Sequence, residues 1–579
     1  MRETAAQLVR LAKSSGTAVF LLEPDARFFR VKKSQGREYL QIVENRREDG
    51  RVKQRVIATL GRLEQLRDTG QLDALLQSGT RFAESVLLVS AHAKGELAEV
   101  SARRIGAVTI FERLWQESGC QSVLNALLAA RGFAFPVERA IFLTVLHRLL
   151  SPGSDRAAER WREDYAIAGS EGLELHHFYR AMAWLGEPLS DQAGATPFGP
   201  RCTKDRIEEA LFARGRDLFS ELELVFFDTT SIYFEGEGGE TLGQRGYSKD
   251  HRPDLKQLVV GAVLDGHGRP IACELWPGNT TDVKALVPVA ERLRRRFGIE
   301  RVCLVADRGM ISAETIGELE RRGWPYILGA RMRRQKEVSK QVLARAGRYR
   351  VVREPGQSKE APAPLAVKQV MVADRRYIVC RNADQAKKDA ADREAIVAAL
   401  REQLKQGDKS LVGNRGYRKY LKGQGPHFEI DEAKLKAEAR YDGKWVLRTN
   451  TDLPAEEVAL KYKQLWQVEA LFRATKSLLE TRPIFHQRDE TIRGHVFCSF
   501  LALILRKALL DRLAAAGHAY EWADVLRDLD ALQEVEVEHQ AKRFRLRTEA
   551  RGTCGSVFRA VGVALPPTVQ QIREVSPAV

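Results

Sequence analysis

Two apolar runs in this chain stop abruptly at an aspartate. Leu222 to Phe227 is closed by Asp228, and Arg301 to Ala306 by Asp307. Short runs of Val, Leu and Phe bounded by polar residues read as strands buried on both faces. An acid at the carboxyl end of such a strand faces the crevice where α/β sheets take their ligands. An aspartate that merely caps the next turn would occupy the same position, so placement alone leaves both roles open. Around these runs, Gln257 to Leu264 and Ile271 to Leu275 read as strands joined by the turn Asp265-Gly266-His267-Gly268. Val283 to Phe297 and Ser312 to Arg322 read as helices, and Tyr326 to Leu328 as a further strand. Antiparallel strands followed by strand–helix–strand crossovers specify a mixed α/β sheet with helices on its faces.

The remainder of the chain divides by changes of pattern. Residues 1–95 form a basic β-hairpin unit: a short helix and loop to about residue 25, then strands at Phe28 to Val31, Tyr39 to Val43 and Val52 to Leu60, with Asp49-Gly50 as the hairpin turn. From about Leu97, and over 96–220, apolar residues recur at three- and four-residue spacing, which predicts a helical module, a candidate for helix-turn-helix DNA binding although no recognition helix can be placed in it. The α/β pattern occupies 221–335 and resumes over 441–515, with a β-rich insertion at 336–440. A C-terminal extension, 516–579, carries the basic patch Lys542 to Arg547.

Composition narrows the class of function. Of 579 residues, 93 are Lys or Arg and 77 Asp or Glu, a net charge of +16 and a pI near 9.5. That balance favours a polyanionic partner, although a solvated basic face would give the same count. With 44% hydrophobic and 29% charged residues the chain is globular, not disordered. Its longest apolar run, Val496 to Leu505, is half of the roughly 20 residues a membrane helix needs, so no membrane span and no leader are expected. Seven scattered cysteines without a CxxC pair predict neither a disulfide framework nor a zinc ribbon, and point to the cytoplasm.

A third acid comes from the helical pattern Ala455 to Leu479. Tyr462, Glu469 and Lys476 are seven residues apart, two helical turns each, and so share one face with Phe472 and Arg473 beside it. A surface pair between Glu469 and Arg473 is the plain alternative. Three carboxylates suit two hard cations such as Mg²⁺ held about 4 Å apart, the arrangement used for in-line phosphodiester displacement. The histidines lack the HExxH spacing of zinc hydrolases, and His486 and His495 read as buried structural residues.

Taken together, Asp228 in FFDTTSIYF, Asp307 in LVADRGM and the run YKQLWQVEALFRATK resemble the DDE-type bacterial insertion-sequence transposases, and among them the IS-four-like branch with a Tyr-x2-Arg-x3-Glu-x6-Lys helix. Tyr462, Glu469 and Lys476 match that spacing, whereas Leu465 stands where the family has Arg; Arg473 or Lys463 is the substitute for its phosphate contact. GYSKDHRPDLKQ, PGNTTD, YDGKWVLRTN and RPIFH, with the Asp307-Arg308 pair, belong to the same likeness, which spans roughly 220 to 510. The resemblance implies an RNase-H-like catalytic domain interrupted by an insertion. It implies a transposase that binds the terminal inverted repeats of its element, cleaves DNA with Mg²⁺-activated water and joins the freed 3′-OH to target DNA. Asp228, Asp307 and Glu469 are the implied catalytic residues and ligands for two Mg²⁺ ions, Mn²⁺ substituting. Arg308, Tyr462, Arg473 and Lys476 are the implied DNA contacts, with Tyr441 or Trp445 stacking on a flipped base unless they are core aromatics. Double-stranded DNA is the implied partner, in a homodimer or higher assembly on the bacterial nucleoid. The alternatives are a metal-dependent nuclease of the same fold and an inactive DNA-binding repressor.

Overall fold

The computed structural model describes residues 27–48, 51–72, 74–75, 98–195, 199–215, 224–298, 303–354, 362–405, 417–424, 427–539 and 542–572. The expected helix and loop before residue 26, and the Asp49-Gly50 turn, lie outside them. The chain divides into two compact units, one of 1–109, 164–166 and 520–579, the other of 110–163 and 167–519.

The first unit holds two antiparallel sheets. Arg27–Ser34, Arg37–Glu48 and Arg51–Arg62 pair in sequence order, as the turn signals require. Arg30, on the first of these strands, donates across the sheet to Gln41 and Gln54 at 3.0 Å, which orients its guanidinium along the sheet. In the second sheet Ala98–Arg104 pairs with Gln533–His539, which pairs with Lys542–Arg547 and then Val569–Ile572. Two expectations are corrected. The segment from Leu97 is not helical at once: 98–104 is a strand, and helix begins at Gly106. Its partner lies more than 400 residues away, which no local pattern reveals. The patch Lys542 to Arg547 is likewise a strand, with Phe544 and Leu546 packed on Val537 and Arg545 paired to Glu534 and Glu536.

The second unit is built on a nine-stranded mixed sheet. Its strands are β1 (Leu224–Tyr233), β2 (Gln257–Leu264), β3 (Pro270–Pro277), β4 (Cys303–Ala306), β5 (Tyr326–Gly329), β6 (Arg350–Arg353), β7 (Leu365–Val372), β8 (Arg375–Arg381) and β9 (Lys444–Thr449), in the order β6-β7-β8-β9-β5-β4-β1-β2-β3. β1 runs parallel to β4, and β4 to β5; β2 and β3 are antiparallel additions beyond β1. The arrangement β3-β2-β1-β4-β5 is the RNase-H-like core implied by the resemblance. The insertion is less separate than expected, because β6, β7 and β8 extend the same sheet through β9. The Ala383–Lys405 helix, the Leu421–Gln424/His427–Ile430 hairpin and the Glu432–Ala439 helix stand outside it.

Both faces of the central strands are buried, so each strand contributes alternately to two apolar layers. Val225, Phe227, Leu304 and Ala306 pack with the Asp282–Phe297 and Ala313–Arg321 helices. Phe226, Val305 and Ile327 pack instead with Val458, Val468 and Phe472 of the helices Ala455–Lys463 and Trp466–Arg473. Helices Cys120–Leu128, Val137–Leu150, Leu175–Leu185 and Thr203–Gly215 form the helical module of this unit, with Asp489–Ala515 beside them. Buried polar contacts tie the Thr203–Gly215 helix to the sheet and to its neighbouring helix: Lys204 Nζ donates to the Cys273 carbonyl of β3 at 2.7 Å, Cys273 N donates to Glu208 Oε1 at 2.9 Å, and Arg296 pairs with Glu208 at 2.8 Å. Among the described residues no helix is long and apolar enough to cross a membrane.

Candidate active site

Register puts the two aspartates side by side. Phe227 of β1 is the partner of Ala306 at the end of β4 in a parallel pair. The next residue on each chain is therefore Asp228 and Asp307, on strands about 4.8 Å apart. Since Phe227 and Ala306 face one layer, the alternation turns both aspartates toward the other, where the Trp466–Arg473 helix packs. One expectation changes: Asp228 is not strand-terminal, because β1 continues to Tyr233 along its antiparallel neighbour β2. It is instead the first position past the end of β4, an equivalent opening on the parallel side.

Asp228, Asp307 and Glu469 line a single cavity of about 420 Å³ together with Thr229, Lys249, Arg473 and Lys476. Tyr462 donates from Oη to Asp307 Oδ1 at 2.9 Å. Burial, and then the adjacent Asp307 carboxylate, push that phenol well above its ordinary pKa, so it stays a donor. Gly329 makes room for it: a Cβ there would lie 2.5 Å from Tyr462 Oη. Lys476 Nζ donates to Asp250 Oδ1 at 2.7 Å; burial lowers its ammonium pKa, and the Asp250 carboxylate acts in the opposite direction.

The expected continuous helix from Ala455 to Leu479 is broken twice. A turn at Gln464 and Leu465 separates Ala455–Lys463 from Trp466–Arg473, and Ala474–Leu478 is a π-helical turn. Tyr462, Glu469 and Lys476 nevertheless reach one site. Leu465, which the sequence resemblance aligns with an Arg, is a core residue, 6% exposed. Arg473 does line the cavity, whereas Lys463 lies over the Trp445 ring at 5.5 Å. Three other expected contacts are not brought to the cavity wall. Arg308 is exposed, and its carbonyl accepts from Arg331. Trp445 packs on the core, and Tyr441 lies under Arg333 at 4.8 Å.

Residues without an assigned role in the sequence also converge here. Lys249 lines the cavity and Asp250 holds Lys476 and Arg482. Their sequence signal is the GYSKD stretch, part of the family likeness, which by itself assigns no chemistry. The motif's Gly246 meets the backbone of PGNTTD, where a Cβ would lie 2.0 Å from the Gly278 carbonyl. In YDGKWVLRTN, Asn450 serves the sheet: Oδ1 accepts from Tyr326 N at 2.8 Å and Nδ2 donates to the Trp324 carbonyl at 2.9 Å.

Among the described residues, the one set of three potential ligands whose atoms all lie within 4.8 Å of one another is elsewhere: Asp155, His486 and His495. The carboxylates of the cavity are more widely spread. The histidine set is a hydrogen-bonded network. His495 Nε2 donates to the Thr481 carbonyl at 3.1 Å, which leaves Nδ1 as acceptor for Arg148 Nη2 at 2.9 Å. A cation would compete with a guanidinium for that lone pair. Burial, and then the Arg148 charge, hold His495 well below its ordinary pKa. Asp155, pushed up by burial, is brought down to about 2 by the His486 hydrogen bond and by Arg148.

A mixed sheet with an RNase-H-like order and an acid-lined cavity beside its parallel strands defines a class, and comparison with known proteins agrees. Residues 220–505 match the transposase DDE domain, and residues 29–91 match the IS1634 family transposase, N-terminal domain. The chain belongs to the DDE transposases of insertion sequences. No curated protein matches it. Solved structures similar to part of it include two Mos1 complexes. The Mos1 transposase paired-end complex with left transposon end is 15% identical over 34% of this chain and 60% of that chain, with a TM-score of 0.14. The Mos1 mariner paired end complex with Mn is 14% identical over 38% of this chain and 76% of that one, also with a TM-score of 0.14. DDE domains use divalent metal ions, and three hard oxygen donors lining one cavity fit such an ion.

Proposed function

We propose that the chain is a DNA transposase that binds double-stranded DNA at the terminal inverted repeats of its element and cuts and joins strands at the cavity of Asp228, Asp307 and Glu469. The observation that carries this reading is the meeting of three acids from distant parts of the chain in one cavity with three cationic side chains, Lys249, Arg473 and Lys476. Two Mg²⁺ ions, or Mn²⁺ in their place, would be held by the three carboxylates and would supply the activation of water and the neutralisation of developing charge.

The chain's own groups do the rest. Tyr462 fixes Asp307, a residue of the cavity wall, by its hydrogen bond to Oδ1. Lys249, Arg473 and Lys476 present positive charge to a scissile phosphate, whose non-bridging oxygens carry negative charge through the transition state. Basic surfaces elsewhere on the chain would hold the flanking duplex through salt-dependent phosphate contacts. Because two element ends must be processed together, the working form is a dimer or larger assembly, acting on DNA in the cytoplasm.

The test is a cleavage assay with purified protein, Mg²⁺ and a duplex carrying the inverted repeat that flanks its gene. Wild type cuts and joins, while Asp228→Ala loses cutting and keeps binding. If the alanine variant cuts as wild type does, the site assignment is wrong. Nicks without joined product indicate a nuclease, and binding without cutting by wild type indicates a repressor.

A further inference from the structure

The GYSKD segment does more than pack. Lys249 Nζ donates to the Thr229 carbonyl at 2.7 Å and to Thr229 Oγ1 at 2.8 Å, and its backbone N–H donates to Ser231 Oγ at 2.8 Å. Those three bonds seat it on β1 immediately beside Asp228. The next residue, Asp250, points to another part of the fold. Its Oδ1 accepts from Lys476 Nζ at 2.7 Å and pairs with Arg482. Its side chain is 4% exposed, and its second oxygen is buried with no hydrogen-bond partner among the described residues. Buried oxygens left unpaired are uncommon where a residue only packs. The Asp250 carboxylate is held in place by two cations, one of which lines the catalytic cavity.

Resting on the transposase reading, we propose that Asp250 is a positioning residue for strand cleavage. It holds the Lys476 ammonium against the cavity wall, while the adjoining Lys249 anchors the same dipeptide to the strand of Asp228. Lysine has four rotatable bonds and no planar fork to orient it, so an ammonium that must meet a phosphate in a fixed place needs a partner to restrain it. Asp250 also separates two like charges: without it, Lys476 and Arg482 face each other with no intervening anion. Through this link the helix turn that follows Glu469 is tied to the strand of Asp228, and RPIFH, which supplies Arg482, is tied to both.

The experiment is a double-mutant cycle in full-length protein, read by single-turnover cleavage of inverted-repeat duplex in Mg²⁺ and, separately, by equilibrium binding of that duplex. Asp250→Asn should slow cleavage by about tenfold or more while changing the binding constant by less than about threefold. Added to Lys476→Ala, it should cost little further, because both changes remove one restrained ammonium. Asp250→Glu, which keeps the charge, should recover most of the rate. Wild-type cleavage by Asp250→Asn overturns the proposal, as do losses that multiply in the double variant. Should the asparagine variant not fold, the same cycle with Asp250→Ser, which also removes the charge, decides by the same criterion. Absence of cleavage by wild type would refute the transposase reading, and this proposal with it, before any Asp250 variant was compared.

Discussion

Asp307 accepts a hydrogen bond from a partly buried tyrosine. Tyr462 reaches it from the helix that leads to Glu469, and Gly329 opposite is bare enough to let the phenol through. A hydrogen bond to a charged acceptor contributes about 1.5 kcal/mol or more, and here its value lies in orientation. Tyr462→Phe should therefore cut about tenfold more slowly than wild type with unchanged DNA affinity, measured by single-turnover cleavage and equilibrium binding. An equal rate would mean that the bond does not orient the carboxylate. At this scale much was legible in advance. An acid after an apolar run and a seven-residue spacing are local features, and they named Asp228, Asp307, Glu469, Tyr462 and Lys476. Asp250 was not legible, because its partners Lys476 and Arg482 lie more than 220 residues away. Trp445 and Tyr441 illustrate the reverse error. An aromatic near a motif carries no sign of whether it faces a cavity or a lysine, and these two face Lys463 and Arg333.

Among the elements, the segment bearing Glu469 departs most from its pattern. The apolar period runs unbroken from Ala455 to Leu479, yet the chain folds as helix, turn, helix and π-turn. Burial of Leu465, Val468 and Phe472 against the sheet is satisfied through the break, so periodicity alone could not reveal it. The consequence is that Glu469 sits on an eight-residue helix between two irregular turns, the kind of departure that recurs at functional sites. The sheet teaches a similar lesson. β1, β2, β3, β4 and β5 were each visible as apolar runs with turn signals between them. That β7 and β8 continue the same sheet was hidden, since their pairing passes through β9, more than 60 residues further on. Ala98–Arg104, with few β-branched residues, is a strand only because Gln533–His539 lies beside it.

For the molecule as a whole, buried ionisable groups make stability depend on pH in a defined window. Burial, and then the Arg148 charge, lower the His147 pKa from 6.5 to about 4, and His495 lies well below its ordinary value for the same reasons. The unfolded chain takes up these protons first, so the contribution is fully present above about pH 6.5 and is lost as pH falls toward 4. Each group costs at most about 1.4 kcal/mol per pH unit in that window. Asp155, held at about 2, adds its own loss only below about pH 3.8. The thermal midpoint should therefore be lower at pH 5 than at pH 7, and a flat profile would place these histidines in water. The same cluster offers a sharp alternative to the catalytic cavity as a metal site, which diffraction can separate. In crystals of the chain with cleaved end DNA and Mn²⁺, anomalous scattering should place manganese between Asp228 and Asp307, with Glu469 drawn in to complete the site. Manganese at Asp155, His486 and His495, with none in the cavity, would contradict the account.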